Sequence, residues 1–290
     1  MTTTTGPAIK RGFADITEGQ VHYRTAKPEK DSNAVPLVMF HGSPTSSLTF
    51  APLVQSFART RTVFAPDTVG QGDSCAPKSM TEEMPYFANA ALRAIDTMGI
   101  EKFDLYGTHT GAAIAVETAI AAPDRINKLI LDGVKAGKQE WSGDYADHLD
   151  RSHLIDTDGT QFTATWNTLR NVMLFWPPDR HEPEYLRPCG LPPAEKLHDM
   201  VIDALKSIRT NHVPYRAAIL YNADERLPLV SVPTLLTCAG WDMLWDDMEP
   251  AAALIPGSVV KPHPSNNPES HATAEEVKGL ADLLSEWLDG

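Results

Sequence analysis

Two glycines frame a histidine in the stretch Gly107-Thr108-His109-Thr110-Gly111. A short apolar run precedes this stretch and an alanine-rich run follows it, which predicts a strand, a tight turn and a helix. In such a turn the central residue projects above the sheet, often at positive φ, and small neighbours let the backbone pack closely. Serine is the usual residue at the centre. An imidazole there favours general acid–base chemistry near neutral pH.

Two further candidates lie late in the chain. Asp242 follows the predicted strand Val232–Gly240, and His271 precedes the predicted helix Thr273–Leu288. We expect His109 and His271 to face one pocket, with Asp242 fixing the tautomer of His271. Two neighbouring imidazoles disfavour double protonation, so one of them should stay neutral and basic.

The loop His41-Gly42-Ser43-Pro44 follows a continuous apolar run that predicts a strand buried on both faces. His41 is expected to brace this loop and not to perform chemistry.

Strands alternate with amphipathic helices along most of the chain, which predicts βαβ units and a mostly parallel sheet flanked by helices. The predicted strands are Phe13–Thr17, Val21–Arg24, Val35–Phe40, Thr62–Ala65, Phe103–Tyr106, Lys128–Leu131, Val232–Gly240 and Ser258–Val260. The main predicted helices are Leu48–Arg59, Glu82–Met98, the helix after residue 109, Thr163–Phe175, Ala194–Arg209, Met248–Leu254 and Thr273–Leu288.

The alternation stops between residues 137 and 226, where prolines and aromatic residues interrupt irregular helical segments. We interpret residues 137–226 as a helical cap inserted into an α/β core of residues 1–136 and 227–290. The plainer interpretation is a helical stretch that completes the core. The return of the strand pattern at Val232 favours the cap.

The order of these motifs resembles the α/β-hydrolase fold family over nearly the whole chain. Five features occur in the order that the family has: the loop at His41, the turn Asp67-Thr68-Val69-Gly70-Gln71-Gly72-Asp73-Ser74, the strand-to-helix turn at His109 (here called the elbow), Asp242 and His271. The segment from His41 looks similar to haloalkane dehalogenases and C–C-bond hydrolases. The resemblance implies an enzyme acting on a small carbonyl-containing molecule, without cofactor or metal. It also implies that the backbone of Gly42 and Ser43, together with the N–H of Thr110, forms an oxyanion-binding or substrate-binding site.

The chain departs from the family at position 109, where a serine or aspartate nucleophile would stand. We therefore expect acid–base chemistry of a hydrolytic, C–C-cleaving or lyase type, with His109, Asp242 and His271 as catalytic residues. Covalent catalysis through His109 ranks below this, since an acyl-imidazole is labile. Two imidazoles and a carboxylate are also a known metal-ligand set, although their spacing carries no metal signature. The remaining alternative is a protein that binds small molecules or interacts with partners without turnover.

Two residues compete with these assignments. Asp132 ends a predicted strand and is a rival of Asp242 as the acid. His263 stands between prolines, and we expect it to be a surface-loop residue and a weak rival of His271.

The composition of the chain disfavours some classes of binding partner. A net charge of −13 disfavours nucleic acid and anionic membranes, and no apolar run is long enough to span a bilayer. Three scattered cysteines without CxxC spacing favour a reducing compartment, so a cytoplasmic protein is expected. The expected partner is a small-molecule substrate, and the sequence leaves open whether the chain forms a homo-oligomer.

Overall fold

The computed structural model describes residues 6–137, 142–149, 155–268 and 272–290. Within this part of the chain, eight strands form one sheet in the order β1-β2-β4-β3-β5-β6-β7-β8. The first two pairings, β1 with β2 and β2 with β4, are antiparallel, and the pairings from β4 to β8 are parallel. The predicted mostly parallel α/β sheet is confirmed. The strands are Lys10–Asp15 (β1), Gln20–Ala26 (β2), Leu37–Phe40 (β3), Val63–Pro66 (β4), Phe103–Thr108 (β5), Ile126–Asp132 (β6), Thr234–Thr237 (β7) and Val259–Val260 (β8).

Helices cover both faces of the sheet. In the described residues they are Ala51–Phe57 (α1), Met84–Thr97 (α2), Thr110–Ala121 (α3), Ser142–Leu149 (α4), Thr160–Leu174 (α5), Ala194–Lys206 (α6), His212–Leu220 (α7), Ala223–Arg226 (α8), Met248–Leu254 (α9) and Ala274–Asp289 (α10).

Strand β3 shows why a strand in the interior of this sheet is apolar. Its alternate residues Val38 and Phe40 pack with α2 and α3, whereas Leu37 and Met39 pack with α1 and α10. All four are buried, because side chains alternate between the faces of a strand and both faces are covered here.

The predicted helix Leu48–Arg59 begins differently in the structure. A short 3₁₀ turn, Ser47–Phe50, comes first, and α1 starts at Ala51. Ser46 accepts a hydrogen bond from the N–H of Leu48 and so fixes the turn. Pro52 lies in the first turn of α1, where its missing N–H costs no helical hydrogen bond.

Helices α4 to α8 fall between β6 and β7, in the segment predicted as a cap. Helices α5 and α6 pack on each other through Leu169, Leu197 and Val201. Helix α7 packs in part against the core, where Val213 and Ala217 join the cluster beneath α3. The division into a core and a cap at residues 137 and 226 stays a prediction. Among the described helices, none has the length and apolar character that a membrane span requires.

Candidate functional site

His109 occupies the turn between β5 and α3, as the sequence predicts. Its φ of 49° makes it the one non-glycine residue with positive φ among the described residues. This conformation is strained for a residue with a Cβ and persists where packing fixes it. A Cβ on Gly111 would stand 2.0 Å from the carbonyl oxygen of Phe40, and one on Gly107 would stand 2.3 Å from the carbonyl oxygen of Gly111. The two glycines are thus required by the close approach of α3 to the sheet.

The imidazole of His109 contacts the carboxylate of Asp242. Nε2 of the ring lies 2.8 Å from Oδ2 of Asp242, and the N–H of Leu244 donates to Oδ1 at 2.8 Å. The His109 side chain is 34% exposed, whereas that of Asp242 is 5% exposed. The carboxylate therefore lies beneath the ring, and the ring faces the cavity above it.

This contact differs from the pairing that the sequence led us to expect. Asp242 was expected to orient His271, and the structure places the carboxylate against His109. His271 lies outside the described residues, so its part in the site stays a prediction.

The charge state of Asp242 follows from its surroundings. Burial raises the pKa of this carboxyl group, but the nearby His109 and the hydrogen bonds from His109 and Leu244 outweigh burial and lower it below the ordinary value. Asp242 is therefore ionised at neutral pH and accepts a hydrogen bond from Nε2. We assign the neutral ring of His109 a proton on Nε2 and a lone pair on Nδ1.

Two glycines lie against this ring. A Cβ on Gly133 would stand 2.7 Å from Cδ2 and 2.9 Å from Nε2 of His109, and Gly133 has φ of 65°. A Cβ on Gly42 would stand 3.5 Å from Nδ1. Gly42 therefore brings the loop after β3 beside the nitrogen that we assign as basic.

The loop after β3 is held by His41, as expected. Nδ1 of the buried His41 ring lies 2.9 Å from the carbonyl oxygen of Gly42, and Nε2 accepts the N–H of Thr68 at 3.0 Å. Burial is the main cause of the lowered pKa of His41, so the ring is neutral and donates through Nδ1. This fixes Gly42 and Ser43, which line the same cavity as His109 and Thr110.

The cavity above His109 has a volume of about 340 Å³, which suits a small organic molecule. The core side supplies the elbow, the loop after β3 and the loop after β6, and helices α5, α6 and α7 supply the opposite side. Most lining side chains are apolar, among them Leu48, Val134, Met173, Trp176, Met200 and Leu244.

Arg187 and Trp241 are lining residues that sequence reasoning missed. Arg187 is 8% exposed, and its guanidinium lies 5.8 Å from the centre of the Trp241 ring. One guanidinium nitrogen, Nη1, donates to the carbonyl oxygen of Val172 at 2.6 Å. Nε of Arg187 and Nε1 of Trp241 are buried without a hydrogen-bond partner among the described residues. No sequence motif marks Arg187, although Trp241 could have been suspected because it adjoins Asp242.

Behind the elbow, the structure corrects the expectation for His263. Its side chain is 4% exposed rather than lying in a surface loop, and Nε2 is 3.9 Å from Oδ2 of Asp132. Nδ1 of His263 accepts the N–H of Ser265, and Oδ2 of Asp132 accepts the hydroxyl of Tyr106 at 2.6 Å. Asp132 thus belongs to a second buried acid–imidazole contact, while Asp242 touches His109. The error arose because the flanking prolines suggested exposure, and burial depends on contacts distant in sequence.

A metal at His109, Asp242 and His271 gains no support from the described part of the site, where one imidazole and one carboxylate already bond each other. Elsewhere in the described chain, ligand atoms of His22, Asp67 and Asp73 lie close enough to surround an ion. Their polar atoms are occupied, since His22 contacts Asp67 at 2.8 Å and Arg11 donates to both His22 and Asp73. This cluster is therefore an ion-pair network that fastens the loop after β4.

Comparison with known proteins identifies curated relatives that match part of the chain and solved structures that match its fold. The family model described as alpha/beta hydrolase fold matches residues 35–246. A 2-hydroxymuconate semialdehyde hydrolase from Pseudomonas sp. (strain CF600) is 35% identical over 107 residues, which are 36% of this chain and 38% of that protein. Haloalkane dehalogenase 2 of Mycobacterium bovis is 24% identical over 125 residues, 43% of this chain and 42% of that protein. The matches span only about two fifths of the length of these curated relatives.

Solved structures match nearly the whole chain. The enol-lactonase from Burkholderia xenovorans LB400 has a TM-score of 0.71 at 18% identity and covers 96% of this chain and 100% of its own. An epoxide hydrolase from an endophytic Streptomyces has a TM-score of 0.72 at 15% identity, covering 97% of this chain and 96% of its own. At these identities the similarity establishes the fold alone.

Proposed function

Since the chain belongs to the α/β-hydrolase fold family, we propose that it is an enzyme of that family in which His109, oriented by Asp242, acts as a general acid–base on a small carbonyl-containing molecule. The observation that carries this proposal is the 2.8 Å contact between Nε2 of His109 and Oδ2 of Asp242 at the centre of the elbow. Hydrolases among the partial relatives support the general class of reaction.

The chemistry follows from the two ring nitrogens. With Nε2 donating to Asp242, Nδ1 of His109 takes a proton from a water molecule or from an acidic position of the substrate. The positive charge that then develops on the ring is stabilised by the ionised, buried carboxylate of Asp242. No serine ester forms, because position 109 carries no hydroxyl. Water-activated hydrolysis, C–C cleavage and lyase chemistry all use this step.

Negative charge on the substrate needs its own partners. We propose the backbone N–H groups of Ser43 and Thr110, next to His109 on the cavity wall, as donors to a developing oxyanion or enolate. His271 is kept as a second acid–base residue. Its role depends on a position outside the described residues.

The substrate class is suggested by Arg187 and Trp241. Nε of the buried Arg187 has no hydrogen-bond partner in the described chain, and the charge of its guanidinium acts on Asp242 only from a greater distance than an ion pair. Such a group is costly to bury, and an acceptor group on a ligand offsets that cost. The rest of the wall is largely apolar. We therefore propose a small oxo compound with an apolar body and a carboxylate or second carbonyl oxygen directed at Arg187. The name of the partial relative from Pseudomonas sp., a semialdehyde hydrolase, is consistent with a carbonyl substrate.

The decisive experiment compares His109→Gln and Asp242→Asn with the wild type on a panel of p-nitrophenyl esters, an enol lactone, a haloalkane and a vinylogous diketone with a carboxylate. We expect turnover of a carbonyl substrate that falls about 100- to 10,000-fold in His109→Gln, the usual contribution of a general acid–base group. His198→Gln, at an exposed histidine of α6, is the matched control and should keep the wild-type rate.

Two results would contradict the proposal. One is a wild-type rate in His109→Gln, or a serine or threonine adduct trapped by a fluorophosphonate. The other is an absence of turnover combined with ligand-induced thermal stabilisation that Arg187→Met abolishes, which would instead indicate a protein that binds small molecules without turnover.

A further inference from the structure

A single lysine on the core side of the cavity has a role that the proposed acid–base chemistry leaves unassigned. Lys135 lies in the loop after β6, two residues beyond the glycine that contacts the ring of His109. It lines the cavity together with Val134, Ile219 and Leu244. Lys135 thus belongs to the wall of the cavity in which the proposed carbonyl substrate binds.

Lys135 has an unusual set of polar partners. Nζ donates to the carbonyl oxygen of Ile219 in the last turn of α7 at 2.6 Å. In the described part of the chain no carboxylate forms an ion pair with it, and Asp224 and Asp247 act only from a greater distance. The hydrogen bond holds the nitrogen at the cavity wall without supplying a negative charge.

The protonation of Lys135 follows from this environment. Burial lowers the pKa of its amine below the ordinary value, and the attraction of Asp247 and Asp224 offsets only part of the effect. Compared with an exposed lysine, a larger fraction of the side chain is the neutral amine. The neutral amine is the form that attacks a carbonyl carbon.

We propose that Lys135 is a reactive amine of this cavity and condenses reversibly with the aldehyde or ketone group of a small carbonyl compound. Nζ attacks the carbonyl carbon and forms a carbinolamine. The carbonyl oxygen then leaves as one water molecule with the two hydrogens that the neutral amine carried. The product is an imine between Nζ and the carbonyl carbon, and neither oxidant nor reductant is consumed.

This inference goes beyond the proposed function, because it concerns covalent capture at Lys135 and not proton transfer at His109. It shares with that proposal only the cavity and the carbonyl group of the ligand. His109→Gln should therefore still be labelled at Lys135, which lets either idea fail without the other.

The test uses butanal with sodium cyanoborohydride, which reduces an imine to a stable butyl-lysine, followed by intact mass measurement and peptide mapping. We expect Lys135 to be the principal labelled lysine of the wild type and its label to be lost in Lys135→Arg. Arginine keeps a donor for the carbonyl oxygen of Ile219, so this variant should fold. Lys196, which lines the same cavity but is exposed, gives the matched control Lys196→Arg, in which the label should persist.

Label spread evenly over exposed lysines would overturn the inference, and so would principal labelling of Lys196. Peptide mapping of the wild type alone decides this point, whatever the stability of the variants. Circular dichroism and thermal unfolding of Lys135→Arg check that a lost label reflects the missing amine.

Discussion

The ring of His109 is fixed by a carboxylate below it and a glycine against its edge. Oδ2 of Asp242 contacts Nε2, and a Cβ on Gly133 would overlap the same edge of the ring. The orientation of the imidazole therefore depends on Gly133, which has no side chain that could take part in a reaction.

Gly133→Ala should separate this positioning from ordinary backbone strain. Its Cβ would stand 2.7 Å from Cδ2 of His109, so the ring or the backbone must shift, and we expect the bond between His109 and Asp242 to be weakened. We expect loss of most activity and a destabilisation of at least about 1–2 kcal/mol for a side chain at positive φ. Urea unfolding measures the stability, and an NMR spectrum of the imidazole nitrogens reports the bond.

Gly99→Ala is the control for Gly133→Ala. Gly99 has a similar φ of 71°, and nothing lies within 4 Å of the Cβ that it would gain. Gly99→Ala should lose only the stability that a side chain at positive φ costs, and its activity and imidazole NMR signals should be unchanged. Equal activity in the two alanine variants would contradict the positioning role of Gly133.

Asp242 also predicts a pH dependence of stability. Its pKa in the folded protein lies below the ordinary value of 3.8, so its stabilising contribution is present above that value and is lost as the pH falls through the folded pKa. The stability difference between wild type and Asp242→Asn should therefore shrink as the pH falls from about 5 through the folded pKa. Urea unfolding across this range is the measurement. A difference between wild type and Asp242→Asn that stays constant across this range would refute the argument.

At the scale of elements, the helix after the elbow is tied to the end of the helical segment between β6 and β7. The buried Glu117 of α3 accepts the hydroxyl of Tyr221 at 2.6 Å and both Nε and Nη2 of Arg226, at 2.7 and 2.8 Å. Tyr221 lines the cavity as well. One carboxylate thus connects the elbow helix, a wall of the cavity and the return of the chain towards β7.

Glu117→Gln should be strongly destabilising, because it removes the charge that the Arg226 guanidinium and the Tyr221 hydroxyl both use. Glu117 is buried but the Arg226 side chain is 34% exposed, so we expect a cost of about 1–3 kcal/mol for the lost charged hydrogen bonds, and chemical denaturation would measure it. Asp282→Asn disrupts the exposed pair with Lys278 on α10 and should cost less than about 0.5 kcal/mol. Similar costs for the two variants would show that the Glu117 network contributes no more than a surface pair.

At the scale of the whole molecule, the sheet brings distant parts of the chain to one edge. Strands β3, β5 and β6 run parallel and side by side, and β7 follows β6, so their carboxyl ends lie together. The loops after these strands carry Gly42, His109, Gly133 and Asp242. Helices α5, α6 and α7 then line the opposite side of the cavity.

The local sequence pattern was sufficient to predict most strands and helices and the turn at His109. The continuous apolar runs predicted strands buried on both faces, since a parallel sheet covered by helices leaves no polar face. The spacing of Gly107, His109 and Gly111 predicted the turn, because only small residues permit that approach of helix to sheet. The helix that was predicted to begin at Leu48 begins at Ala51, and Pro52, which is favoured in the first turn of a helix, indicated this start.

By itself, the sequence determined the parallel α/β architecture and the imidazole at the elbow, because these depend on periodicity and on the steric limits of neighbouring residues. Only the tertiary structure decided that Asp242 bonds His109, that His263 is buried beside Asp132, and that Arg187 and Lys135 face one cavity. These contacts join residues far apart along the chain. Their distances are set by strand order and by the packing of the helices between β6 and β7, which no local pattern encodes.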